Sequence, residues 1–244
     1  MAVLLMFFFG LYYLRNRVLR SLEMKHQLHM VSHTIRDGYI RMQDTRDSVD
    51  LNGISIELCQ IIRDYFTILT GSSGIGVAIR SAVKDHGEVR YSTVGRAGLS
   101  RNRNNTTVDL HQDVGLAKLC RTVGTGVFFI DDLGKAETEG FFVADANTLQ
   151  YPNDFTSMMV CPINGWDGVG KGMLGMLYVT SKREGLFGVK HTDSMGFISD
   201  TLANIYSELI MSKISVVNGS NIVTVASGES YEIPGDGNEP IKIV

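Results

Sequence analysis

His26, His29 and His33 fall at i, i+3 and i+7, one face of a helix if the surrounding residues are helical. Three imidazoles so placed have the right chemistry for Zn²⁺, which takes nitrogen and sulfur donors in a tetrahedron. No cysteine lies near enough in sequence to complete the set, so the expectation is a solvated helix face and no metal site. Cys59, Cys120 and Cys161 are odd in number, lack CxxC spacing, and each sits inside an apolar pattern. They read as small reduced core residues rather than a disulfide frame or a redox pair. Gly165-x4-Gly170-Lys171 imitates a phosphate-binding loop. It lacks the following Ser or Thr, and it joins two strand candidates where phosphate needs a helix N-terminus, so it reads as a turn. No catalytic constellation emerges from these groups.

The elements that would position any site follow from periodicity. Ala2–Leu14 is an uncharged apolar run followed by Arg15, Arg17 and Arg20, with Tyr12 and Tyr13 where interfacial aromatics belong. As a helix it covers about 20 Å, short against a hydrocarbon core of roughly 30 Å. The basic flank nonetheless predicts a membrane anchor at residues 1–20, in the cell or inner membrane, with the remainder on the cytoplasmic side. The alternatives are an apolar helix against a partner subunit or a clipped span. Residues 21–48 carry Met24, Leu28, Val31, Ile35, Tyr39 and Met42 in steps of three and four, close to a heptad seam. This predicts a parallel helix pair, hence a homo-oligomer, or else a plain spacer.

The chain then reads as helix 49–69 with one apolar stripe, and two strands, 76–83 and 88–94, around a His-Gly turn. An Arg- and Asn-rich loop at 95–108 is a solvated segment or part of an anion-binding rim. A helix is expected over 109–122, closed by Gly124 and Gly126, then a middle strand, Val127–Ile130, ending at Asp131-Asp132. A long polar connection, 133–154, leads to strand 155–163, a glycine-dense turn, strand 173–180, and an amphipathic helix from Asp193 carrying Met195, Ile198, Leu202, Ile205 and Leu209. Residues 215–244 form an extended tail with room for one short hairpin. A net charge of −3 gives no electrostatic case for nucleic-acid binding.

The segment from Phe155 to Leu209 resembles the C-terminal half of a GAF domain: Val160–Pro162, then Gly175–Ser181, then Phe187 and Asp193 ahead of the last helix. The resemblance covers roughly Asp50–Leu209, and the GAF-like domain is expected over residues 49–214. It implies an α+β fold with a central antiparallel sheet of about six strands, helices on one face, and a ligand cavity on the other. The cyclic-nucleotide pattern and the bilin-attaching Cys-His pair of that family are absent. The cysteines that free methionine-sulfoxide reductases of this fold carry near their lid are absent from 133–154. Val31-Ser-His-Thr-Ile-Arg36 also resembles the phospho-acceptor box of sensor histidine kinases, with Thr34 where an acidic residue belongs and Asp37-Gly38 in place of Thr-Pro.

The cavity implied by the GAF resemblance would present Phe129, Tyr151, Phe155 and Tyr178 for stacking. It would present Arg80, Arg96 and Arg121 for anionic groups, and Asp131, Asp132 and Asp145 as acceptors. No cofactor is assigned. The expected function is a membrane-tethered sensory or regulatory module without catalysis of its own, binding a small molecule or a partner protein and signalling through helical dimer contacts to a separate output protein. The alternative is a structural subunit of a membrane-bound assembly whose GAF-like cavity is filled.

Overall fold

The computed structural model describes residues 2–44, 51–85, 88–98, 108–124, 126–143, 149, 154–166 and 170–212, with short strands beyond. Helix α1 runs without a break over Ala2–Asp44, and α2 over Leu51–Thr70. In α2 the apolar residues Ile54, Leu58, Ile62 and Phe66 recur every fourth position, and all are buried. Gly71 ends the helix in the left-handed region at φ 71, its amide donating to the Thr67 carbonyl at 2.8 Å.

Six strands follow: β1 (Ile75–Asp85), β2 (Glu88–Ala97), β3 (Leu110–His111), β4 (Phe128–Ile130), β5 (Ser157–Trp166) and β6 (Lys171–Ser181). Between them lie α3 (Gly115–Val123) and α4 (Leu133–Thr138), and a 3₁₀ turn at Val189–His191 leads into α5 (Thr192–Ser212). The sheet order is β3-β2-β1-β6-β5-β4, and every pairing is antiparallel. Strand β6 therefore lies mid-sheet between β1 and β5, as the GAF resemblance requires.

Alternation along the strands splits the core in two. Ile75, Val77, Ile79, Met159, Cys161, Leu177 and Val179 face α2 and α5, where Met195, Ile198, Leu202 and Ile205 are buried. The α2 and α5 helices are also tied by Ser55 Oγ to Tyr206 OH at 3.1 Å and by Tyr65 OH donating to Ser194 Oγ at 2.7 Å. Ala78, Tyr91, Met158, Val160, Met176 and Tyr178 form the opposite face, covered by Leu116, Ala117 and Cys120 of α3 and by Leu133, Phe142 and Phe155.

Several expectations are corrected. Among the described residues no helix is long and apolar enough to cross a membrane, so the anchor and the cellular placement argued from it are withdrawn. The apolar run is too short, and arginines at 15, 17 and 20 interrupt any longer window. The described part of the heptad-like seam of α1 packs within this chain. Val31 and Ile35 are buried in this chain's own core, with Met24 and Leu28 packed beside them. The expected helix over 109–122 begins only at Gly115, because Leu110 and His111 pair with Tyr91 and Arg90 as an edge strand. Phe128–Ile130 is the other edge rather than the middle of the sheet. Gly124 does close α3, its amide donating to Cys120 at 3.1 Å. The C-terminal segment contains four short strands in a separate antiparallel sheet, Ser215–Val216, Ile222–Thr224, Ser230–Glu232 and Lys242–Ile243.

Candidate functional site

Arg80 is a buried cation of the sheet, 2 % exposed on the face opposite α2 and α5. Its position follows from register: Ala78 lies opposite Tyr178 and Arg80 opposite Met176, so all four point to the same side. The guanidinium is held by three acceptors. Nε donates to the Tyr178 hydroxyl at 3.1 Å, and Nη1 donates to the Tyr91 carbonyl at 3.0 Å and the Val108 carbonyl at 3.2 Å. The Tyr178 ring lies 6.0 Å from the guanidinium carbon. Among the described residues no carboxylate pairs with it. A guanidinium stays charged at any ordinary pH, and burying a charge without its opposite costs several kcal/mol. Neutral oxygens offset part of that cost here.

Arg96 joins Arg80 on this face through an irregularity. Ile79 pairs with Gly95 but Arg80 pairs with Thr93, leaving Val94 as an extra residue in β2. Arg96 then lies opposite Ala78, and its Nη2 donates to Thr93 Oγ1 at 3.2 Å. Phe155 is buried in the same cluster. Of the expected site residues, Arg80, Arg96, Tyr178 and Phe155 are thus brought to one face.

The others disperse. Phe129, Asp131 and Asp132 line a separate cleft of about 360 Å³ with Lys135 and Phe141. Asp132 caps α4, its carboxylate accepting from the Lys135 amide at 3.1 Å, and the Asp131 carbonyl accepts from Gly185 at 2.9 Å. Arg121 stands at a second cleft of about 300 Å³ with Cys120, Asn164 and Lys171, and its Nη1 reaches Asp113 at 3.5 Å. Asp145 and Tyr151 lie outside the described residues. Sequence reading missed Tyr91 and Thr93. Their part is visible only in the strand register, although Tyr91 at the alternate position to Arg90 is a signal for an inward side chain.

The cysteines are free thiols, and all three are buried. Burial raises all three thiol pKa values: Cys59 strongly, Cys120 to about 12, and Cys161 to about 11 despite the nearby Ser199 hydroxyl. Such thiols stay protonated at neutral pH and make poor nucleophiles. On α1, His29 Nε2 and His33 Nε2 approach to 2.8 Å, and His33 Nδ1 meets Arg36 Nη2 at 2.7 Å. Among the described residues no group of three or more His, Cys, Asp and Glu is placed to hold a metal ion.

No protein-family model matches the sequence, and no curated protein does. Solved structures do resemble it. Free methionine-R-sulfoxide reductase from Neisseria meningitidis, solved with its substrate, aligns at TM-score 0.50 and 12% identity over 76% of this chain and 90% of its own. The GAF domain of an Acinetobacter phosphoenolpyruvate-protein phosphotransferase aligns at TM-score 0.48 and 14% identity, over 76% of this chain and 96% of that one. The corresponding GAF domain from Coxiella burnetii aligns at TM-score 0.47 and 13% identity, over 78% of this chain and 95% of its own. At these identities the likeness concerns fold alone. The fold is GAF-like.

Proposed function

We propose that the chain is a GAF-like regulatory module that binds a small molecule on the Arg80 face of its sheet and performs no chemistry on it. The observation that carries this reading is a charged side chain buried on that face with no carboxylate partner among the described residues. Against turnover by thiols stands the burial of Cys59, Cys120 and Cys161. The signal would leave through α2 and α5, which back the same sheet, and through α1, which packs on the helix face; a separate output protein and a second copy of the chain are the partners in this reading. The test is native mass spectrometry of the purified full chain, followed by release and identification of any small molecule. Recovery of one compound unchanged after incubation supports a binding module. Its conversion into a product would overturn the non-catalytic reading.

A second reading has its own support. Met158, Val160, Met176, Phe142 and Phe155 are all buried on this face, so large side chains already occupy much of it. A module that keeps the fold as an interaction surface would look the same at these positions. Purified protein that carries no small molecule and gains no stability from any metabolite fraction would favour that reading.

A further inference from the structure

The donors gathered around Arg80 specify what the ligand must be, on the premise that this face binds a small molecule. A guanidinium has five N–H donors and no acceptor. Three are used, by the Tyr178 hydroxyl and the Tyr91 and Val108 carbonyls. The two on Nη2 have no hydrogen-bond partner among the described residues. The Tyr178 hydroxyl accepts from Arg80 through its oxygen, so its own proton is also left to donate, and none of the described residues takes it. Thr93, opposite Arg80, likewise accepts from Arg96 and keeps its hydroxyl proton. Unspent donors and positive charge thus converge on one face, where the described neighbours are Ala78, Met158, Met176 and Phe155. Such a site offers a ligand positive charge and free donors. A neutral amide or sugar would leave the charge uncompensated, whereas an oxyanion satisfies charge and donors together.

We infer that the ligand of this module is a small oxyanion-bearing metabolite, a carboxylate or a phosphate, whose oxygens are taken end-on by Arg80 Nη2 and by the Tyr178 hydroxyl. The end-on geometry is set by the fold. Nε, which shares one edge of the guanidinium with Nη2, is already committed to the Tyr178 hydroxyl, and Nη1, which shares the other, to the two carbonyls. The remaining contact is through one nitrogen, with the tyrosine hydroxyl as the second arm.

The experiment is thermal unfolding of the full-length protein titrated with sodium acetate, succinate or inorganic phosphate. Sodium chloride at matched ionic strength is the control. Wild type, Arg80→Met and Tyr178→Phe are compared. An anion that fills the site raises the midpoint in proportion to the logarithm of its concentration, beyond the chloride effect. Whether acetate and succinate or phosphate acts separates the two oxyanion classes. Arg80→Met is expected to abolish the shift, and Tyr178→Phe to weaken the fitted affinity about tenfold or more, the scale of one charge-assisted hydrogen bond. Should Arg80→Met not fold, Tyr178→Phe, which removes only an oxygen, decides the matter together with the charge of whatever compound co-purifies with wild type. Titrations no different from chloride, with no acidic compound retained, would overturn the inference. A neutral compound released from wild type and retained by Tyr178→Phe would overturn it while leaving the binding-module reading intact. Absence of any bound compound, with no response to anions, would remove both.

Discussion

Replacing Gly95 by alanine tests the packing that positions the site from behind. Gly95 lies on β2 beside the extra residue Val94, and α2 crosses it at Ser55. A Cβ added to Gly95 would run into the Ser55 carbonyl and come within 2.8 Å of the Ser55 Cβ. Gly95 is not among the glycines in the left-handed region, so its backbone accepts alanine and the effect is purely steric. Backbone cannot swing aside as a side-chain tip can, so α2 must shift. Overpacking of this kind costs about 1–3 kcal/mol. The shift also threatens the buried contact of Ser55 with Tyr206 at 3.1 Å, whose loss adds about 1 kcal/mol. The sum is about 2–4 kcal/mol. At about 2–4 °C per kcal/mol for a domain of this size, the unfolding midpoint should fall by about 4–16 °C. Circular dichroism melts of wild type, Gly95→Ala, Tyr206→Phe and the double variant measure it. If the steric push acts partly through the Ser55–Tyr206 contact, the double variant loses less than the two singles added together. A Gly95→Ala midpoint within about one degree of wild type would show that α2 does not press on β2 here, and the description of the helix face would be wrong.

Three further outcomes follow from the same packing. Cys59, Cys120 and Cys161 should fail to react with a thiol-specific disulfide reagent at pH 8 in the native state and react fully once unfolded, because burial holds the thiolates out of reach; rapid native labelling of any one would contradict this. His191 is buried at the start of α5, its Nδ1 accepting from the Gly188 amide at 3.2 Å, and burial, then Lys190, lowers its pKa from the ordinary 6.5. The unfolded chain therefore takes up the proton first, so stability is full above about pH 6.5 and declines as pH falls through the lower folded value. Urea midpoints should drop between pH 7.5 and pH 5, and less so in His191→Gln; equal slopes for both would refute it. Val31→Asp should unfold the domain by more than about 3 kcal/mol at every protein concentration, since Val31 is 1 % exposed in its own core. A variant that melts normally but changes its oligomeric state would instead restore the seam to a partner helix.

The sequence was most legible where period and burial agree. Strands β5 and β6 and the helix after them follow from alternation and from Met195, Ile198, Leu202 and Ile205 at helical spacing, all of which are buried. It misled where a short pairing overrode a stripe: Leu110 fits the apolar side of a helix, but two residues of it serve β2 as an edge instead. The spacing on α1 marks covered residues, and Val31 and Ile35 are buried within this chain; spacing says which residues are covered and not by which chain. The site failed for a subtler reason. Counting alternately from the buried Tyr91, Thr93, Gly95 and Ala97 belong with it and Arg96 belongs with the helices. Yet Ala97 is in the helix-side core and Arg96 lies opposite Ala78 on the other face. One extra residue at Val94 reverses the parity. That single bulge does two things at once: it presents a glycine to α2 at Ser55 and delivers a second guanidinium to the face of Arg80. Residue types named both arginines as anion ligands, but only the register could put them on the same side. Deleting Val94 would therefore turn Arg96 toward α2 and should lower anion response and stability together, whereas a change confined to Arg80 separates the two.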